Sequence, residues 1–345
     1  MIGRRSFLRA GATGLAAAAC SAHPMSARLW AQSAGLVRVQ GAYSAPGLAY
    51  ASLHLANQKQ LWKQNGLETS LKHVEGGSLA LVTLTTNDAE FICVAANDLI
   101  VAWDRGLKVQ VIAAFYGALT VQFAARREWM EQAGVTPNSP VAQKIGALKN
   151  ARIGAATVGG GPAQYTKYLG GIFGLDPQRD VKIFSVGQGP ARIAALREGR
   201  VDLIVGGPPE ADEIALQGFG DLFLNLSTEI PIFRDFPFTV VAVTQEFASQ
   251  QPDKVRRIAQ SIGQANDLVH SNFGEAVDAL KAAFPRLNPK AVERTMERDR
   301  EAFSRGGRMS ETMWANAFKV AGAMKMVTNL PPVAEGQFWT NRFLG

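Results

Sequence analysis

The strongest constraint in this sequence is a strand–helix rhythm that occurs twice. Val37-Arg38-Val39-Gln40 reads as a strand, and Pro46 to Gln64 carries helical apolar spacing (Leu53, Ala56, Leu61) before stopping at Asn65-Gly66. Leu71-Lys72-His73-Val74 is the next strand, Gly76-Gly77-Ser78 opens a helix, and Phe91 to Ala95 and Val109 to Phe115 are buried strands. The order then returns: strands at Ala151 to Ala155, Val181 to Ser185 and Val201 to Val205, separated by helices at Pro162 to Phe173 and Pro190 to Arg197. At an offset of 112 residues, Gly76-Gly77-Ser78 falls on Gln188-Gly189-Pro190, Leu84 on Leu196, and Phe91-Ile92 on Leu203-Ile204. Such alternation builds βαβ units around mostly parallel sheets, so its repetition predicts two similar α/β lobes.

Leu119 to Ala124 and Phe238 to Val243 read as strands crossing between the lobes. The expected division is 37–118 and 244–345 for lobe one with its C-terminal helices, and 119–243 for lobe two including both crossing strands. In the helical remainder Pro252 and Pro289 suit first-turn positions, and Asn288 and Ser310 suit N-caps. These helices are expected to cover lobe one, with Phe338-Trp339 packed as an anchor.

Charge is informative through its placement. The formal net charge is +7, but Arg4, Arg5, Arg9 and Arg28 lie in the first 33 residues without an acidic residue, and removing them leaves +3. With no Lys/Arg run interleaved with aromatics, nucleic acid is not an expected partner. Arg4-Arg5-Ser6-Phe7-Leu8-Arg9 ahead of the Ala/Gly-rich stretch Ala10 to Ala19 reads as a twin-arginine (Tat) export signal. Residues 1–33 are then the signal peptide, cut after Ala31-Gln32-Ser33. Ala17-Ala18-Ala19-Cys20 is the alternative, a lipobox with Ala at its first position and Cys20 acylated. Past this segment Cys93 is the one remaining cysteine, so no intramolecular disulfide is available. No apolar run there reaches the ~18 residues of a membrane span.

Five short motifs, in order, resemble the nitrate/sulfonate/taurine-type substrate-binding proteins of ABC importers, a group that also takes in thiamine-precursor-binding proteins. Gly174-Leu175-Asp176-Pro177 with Asp180-Val181 resembles the family's "GLDP..DV" turn, and Leu148 to Gly154 its "DLKGKKIGV" run. Ala195 to Asp202 resembles "AL..G.VDA", while Gly66-Leu67-Glu68 and Gly76-Gly77-Ser78 resemble the "GLDVE…GGS" region. Thr86 to Ile92 departs from "SGEIDFG" by lacking the glycine. The resemblance implies a two-lobed periplasmic-binding-protein-like fold of type II with two crossover strands. It implies a monomeric periplasmic receptor that hands a small molecule to an ABC permease and its ATPase. Ligand identity does not carry over, because fold alone does not set it.

In such a fold the loops after the strands, opening into helix N-termini, favour polar or anionic groups. Thr157-Val158-Gly159-Gly160-Gly161-Pro162 is the strongest candidate, a hydroxyl followed by three glycines that let backbone approach a ligand. Thr157, Gly159, Gly160 and Gly161 are therefore expected site residues, facing Tyr43 and Ser44 of the first lobe. Gly77, Ser78 and Gln188 mark the second pair of helix entrances, Asn97 and Gly207 follow the third strands, and Tyr116 and Thr239 lie at the crossings. With few cations in these loops, an uncharged or partly aromatic ligand, or an anion held by backbone, is favoured.

Catalysis finds little support. His54, His73 and His270 lack metal-ligand spacing, Cys93 sits in an apolar run, and no Gly-Lys-Ser/Thr follows the triple glycine to make a P-loop. No cofactor is expected. The alternative is an enzyme of the pyrimidine/thiamine-precursor branch of the fold, whose Cys-rich, iron-associated motif does not occur here. A sensor domain of a signalling receptor would need an output module that the sequence does not encode.

Overall fold

The computed structural model describes residues 35–345; the signal-peptide and lipobox expectations, on residues 1–33 and Cys20, lie outside them. Strands β1 (Val37–Tyr43), β2 (Leu67–His73), β3 (Phe91–Ala95) and β4 (Val109–Ala114) belong to one sheet. Strands β5 (Gln122–Arg126), β6 (Arg152–Ala155), β7 (Lys182–Ser185), β8 (Leu203–Gly206) and β9 (Gly220–Asn225) form a second. The last strand, β10 (Thr239–Thr244), returns to the first. The orders are β2-β1-β3-β10-β4 and β7-β6-β8-β5-β9, the same topology with β10 and β5 in equivalent slots.

The duplication extends to a defect. β10 pairs antiparallel with β4, and the register jumps so that Val241 faces Ala113 while Ala242 faces Val111. β5 pairs antiparallel with β9, with Phe123 facing Leu224 and Ala124 facing Leu222. The extra residue is Ile112 in one sheet and Phe223 in the other. A bulge is a specific local device, and its recurrence at the matching place supports the repeat independently of side-chain identity.

The expected mostly parallel sheets with two crossover strands are present: in each sheet four strands run in one direction, and β10 or β5 is antiparallel to both neighbours because it enters from the opposite lobe. One boundary needs correction. For the same reason Thr239–Thr244 belongs to the first sheet rather than to a 119–243 unit; its Val-rich stretch is buried between β3 and β4. The crossings themselves are paired backbone. Leu119 N–H donates to Phe233 O (2.9 Å) and Phe236 N–H to Gly117 O (2.8 Å).

The C-terminal helices also divide. Pro252–Ser271 buries Val255, Ile258, Ile262, Ala265 and Val269 at helical spacing and packs on Ala51–Gln58, which follows β1. Pro289–Asp299 instead reaches the second half. Arg298 donates two hydrogen bonds (2.8 and 2.7 Å) to Asp212 of helix Glu210–Gln217, and the Asn288 backbone N–H donates to Glu213 (2.6 Å). Asn288 and Ser310 cap their helices as expected, accepting from Lys290 N (2.9 Å) and Met313 N (3.1 Å). Trp314 of helix Glu311–Ala323 packs on Phe338 and Trp339, and this final segment hydrogen bonds along β4 through Val111. Among the described residues no helix is long and apolar enough to cross a membrane.

Candidate functional site

A cleft of about 1110 Å³ lies where the strand ends of the two sheets meet. Ser44-Ala45-Pro46 after β1 and Thr157, Gly159, Gly160, Gly161 and Pro162 after β6 line the same space, so the two loops expected to face one another do so. Gly77, Ser78, Asn97, Gln188, Gly207 and Thr239 line it as well.

Five helices begin at this cleft: Gly77–Thr85, Ala96–Asp104, Gly161–Ile172, Pro190–Arg197 and Glu210–Gln217. Their N-cap positions are Gly76, Ala95, Gly160, Gly189 and Pro209, and none supplies a side-chain cap. Side-chain caps do occur at Asn225, Thr244, Asn288 and Ser310, none of which lines the cleft. The first N–H groups of a helix have no partner within it, so such entrances can offer donors to a guest; at Pro190–Arg197, however, Ala191 and Arg192 N–H already donate to Gln188 O (3.3 Å) and Gly189 O (3.1 Å), and at Ala96–Asp104 the Ala96 N–H donates to Phe238 O (2.9 Å).

Two glycines are required by close approach. A Cβ on Gly77 would lie 2.0 Å from Asp98 Oδ2, and one on Gly161 would lie 3.2 Å from Asn97 Oδ1. The second contact joins the halves, since Asn97 follows β3 and Gly161 follows β6. Gly207 makes another, its Cβ position 3.6 Å from Ala49 Cβ.

Arg192 lines the wall but is committed. Its guanidinium donates twice to Glu210 (2.6 Å each) and once to Val205 O (2.8 Å). Glu210 also accepts from Gly189 N–H (3.2 Å), so the pair holds a helix entrance rather than offering free positive charge. The Ser44 and Tyr50 hydroxyls hydrogen bond to each other (2.6 Å), and Thr239 donates to Ala49 O (2.7 Å).

Two expected site residues do not border the cleft. Tyr43 is the last residue of β1, and successive strand residues point to opposite sides; Ser44 faces the cleft while Tyr43 packs on Tyr50, His54 and His73. Tyr116 is fully buried behind the crossing. Its hydroxyl donates to Leu48 O (2.6 Å), and its ring lies 4.4 Å from Phe303. Sequence reasoning missed Asp98, one residue past the Asn97 it found, and the wall formed by 283–287, which arrives from the distant C-terminal helices. Burial pushes the Asp98 carboxyl up to about 6, against a hydrogen bond from the Ala95 backbone. Cys93 is buried in β3, and burial raises its thiol well above the usual range, which removes the thiolate a nucleophile needs.

Two topologically identical sheets exchanging one antiparallel strand, with a cleft between their strand ends, define the fold of periplasmic binding proteins. The model of the NMT1-like family matches residues 44–283, and the chain belongs to that family. A curated relative, YtlA of Bacillus subtilis (strain 168), is 22% identical over 277 residues, covering 79% of this chain and 78% of its own length. A solved structure from Bordetella bronchiseptica RB50 matches with TM-score 0.73 and 22% identity, covering 89% of this chain and 95% of its own. The periplasmic aliphatic sulphonate binding protein SsuA of Escherichia coli matches with TM-score 0.67 and 15% identity, over 89% and 99% of the two chains. At these identities the structural likeness concerns the fold.

Proposed function

We propose that this protein is an extracytoplasmic solute-binding protein. It captures a small organic or oxyanion ligand (a sulfonate, carboxylate, nitrate or pyrimidine-like compound) between its two lobes and delivers it to an ABC permease and its ATPase. The observation that carries this reading is the convergence of five helix N-termini without side-chain caps, contributed by both sheets, on one cleft. Hydrogen bonds to a charged group contribute about 1.5–3 kcal/mol each. Three or four of them reach the roughly −8 kcal/mol of micromolar affinity. A ligand touching both halves binds the closed arrangement best and shifts the population towards it. The fold is shared with the sulphonate-binding SsuA, which makes sulfonates one class of compound to test.

A thermal-shift screen against sulfonates, aromatic carboxylates and pyrimidines tests the reading. A receptor is stabilised by its ligand and returns it unchanged; conversion of the compound would put an enzyme in its place. Export by the twin-arginine route is part of the proposal, with 1–33 as the signal. A reporter fused to this segment is expected in the periplasm, and replacing both Arg4 and Arg5 by lysine is expected to abolish that export. Unchanged export of the double variant would refute the route.

A further inference from the structure

The strand-end loops bring mainly backbone and hydroxyl groups to the cleft; the wall from the C-terminal half of the chain brings a charge. Residues 283–287 line the cleft between helices Phe273–Ala283 and Pro289–Asp299. They close into a turn, in which Leu287 N–H donates to Phe284 O (3.0 Å). Pro285 takes the second position, where its fixed φ suits the turn, and Arg286 follows it at the tip. Both shoulders are pinned. The Phe284 ring meets that of His54 on helix Ala51–Gln58 (4.5 Å), and Asn288 N–H donates to Glu213 of helix Glu210–Gln217 (2.6 Å). The turn is thus fastened to both halves of the fold at once.

Arg286 lines the cleft, is exposed, and makes no ion pair or side-chain hydrogen bond among the described residues. The other cleft arginines are engaged. Arg192 is held by Glu210, while Arg197 lies over the Phe219 ring (5.2 Å) and bonds to Gln217. The carboxylates beside the turn are engaged too, Glu210 by Arg192 and Glu213 by Asn288 N–H. A guanidinium offers parallel donors in a planar fork that matches a carboxylate or sulfonate. Pro46, Pro162, Phe238 and Phe284 line the same space and give it apolar walls. Its volume of about 1110 Å³ far exceeds an inorganic oxyanion; clefts of roughly 300–1,000 Å³ already house whole organic ligands.

Resting on the receptor reading above, we infer that Arg286 is the specificity residue of the cleft, selecting an organic anion over its neutral counterpart. The carboxylate or sulfonate of the cargo pairs with the guanidinium at the turn tip while its carbon body lies on the apolar walls. A neutral compound of the same shape keeps the apolar contacts and loses the charge-assisted pair. An inorganic oxyanion keeps the pair and loses the contacts. Lysine is a point charge without the fork, so it replaces Arg286 only in part.

Calorimetric titration of the purified protein with benzoate against benzamide, and benzenesulfonate against benzenesulfonamide, tests this, with nitrate as the inorganic probe. The anionic member of a pair is expected to bind at least about tenfold tighter than the amide, the range of one charge-assisted hydrogen bond. That advantage should shrink between about 10 mM and 150 mM salt, because the guanidinium is exposed before binding. Arg286→Gln is expected to abolish both the advantage and its salt dependence, and Arg286→Lys to keep part of each; melting curves of the two variants establish that they fold. Equal affinity within the pairs, or an advantage that survives Arg286→Gln, overturns the inference and leaves the receptor reading intact. Nitrate binding as tightly as benzenesulfonate likewise overturns it. Failure of all five probes overturns the inference; failure of every compound in the wider screen removes the receptor reading with it.

Discussion

Arg192→Ala is expected to lower the stability of the fold by about 3–5 kcal/mol, the usual cost of removing one partner of a buried ion pair. The Arg192 and Glu210 side chains are 7% and 12% exposed. Truncation removes three hydrogen bonds from the guanidinium and leaves the Glu210 carboxylate in the wall with Gly189 N–H as its remaining partner. The penalty arises from the uncompensated charge rather than from the bridge itself, which makes a second variant informative. Arg192→Met combined with Glu210→Gln removes both charges and is expected to recover much of the loss. Urea titrations of both variants at constant slope measure it. A loss below about 1 kcal/mol for Arg192→Ala would mean that water reaches the pair and that the wall is softer than described.

Trp314→Ala is expected to cost a further class of stability, about 3–5 kcal/mol, through cavity formation in the aromatic cluster. Trp314 is fully buried, with ring centroids 5.0 Å from Phe338 and 5.7 Å from Phe318. Those contacts press the chain end onto β4, where Val111 N–H donates to Phe338 O (2.8 Å) and Thr340 N–H to Val111 O (2.9 Å). Hydrogen exchange at Val111 and Thr340 should therefore accelerate more than exchange in β6 or β8. Because none of these residues lines the cleft, ligand affinity well below the melting temperature is expected to persist. Equal acceleration in both sheets would show that the cluster stabilises the whole molecule instead of one edge.

The parts of the fold legible in the sequence were those written as continuous apolar runs. Phe91 to Ala95 and Val109 to Ala114 are buried along their length, and such strands announce themselves. Direction within a sheet has no comparable signature. Val240, Val241 and Ala242 are as apolar as a parallel strand would be, and their antiparallel insertion follows from the side on which the chain re-enters. Cleft loops were visible because close approach needs glycine, as at Gly77 and Gly161. Tyr43 and Tyr116 failed for local reasons: one is a strand residue of opposite parity to Ser44, and the other satisfies its hydroxyl on Leu48 inside the hinge. Asp98 was hidden by its spacing. An acid three residues past a helix N-cap reads as a capping group, and only the missing Gly77 side chain reveals that it also reaches the cleft.

The glycine pairings across the cleft give the account its mechanical content. Asn97 against Gly161 and Ala49 against Gly207 bring the two halves together; on the receptor reading proposed above, the paired backbone at 117–119 and 233–236 is the short region about which they would separate. Small-angle scattering of the purified protein, alone and saturated with a compound that stabilises it, is the most direct measurement of this claim. The account predicts a smaller radius of gyration in the saturated sample at one ligand per chain. Stoichiometric binding with an unchanged scattering profile, together with an open profile in both samples, would contradict it.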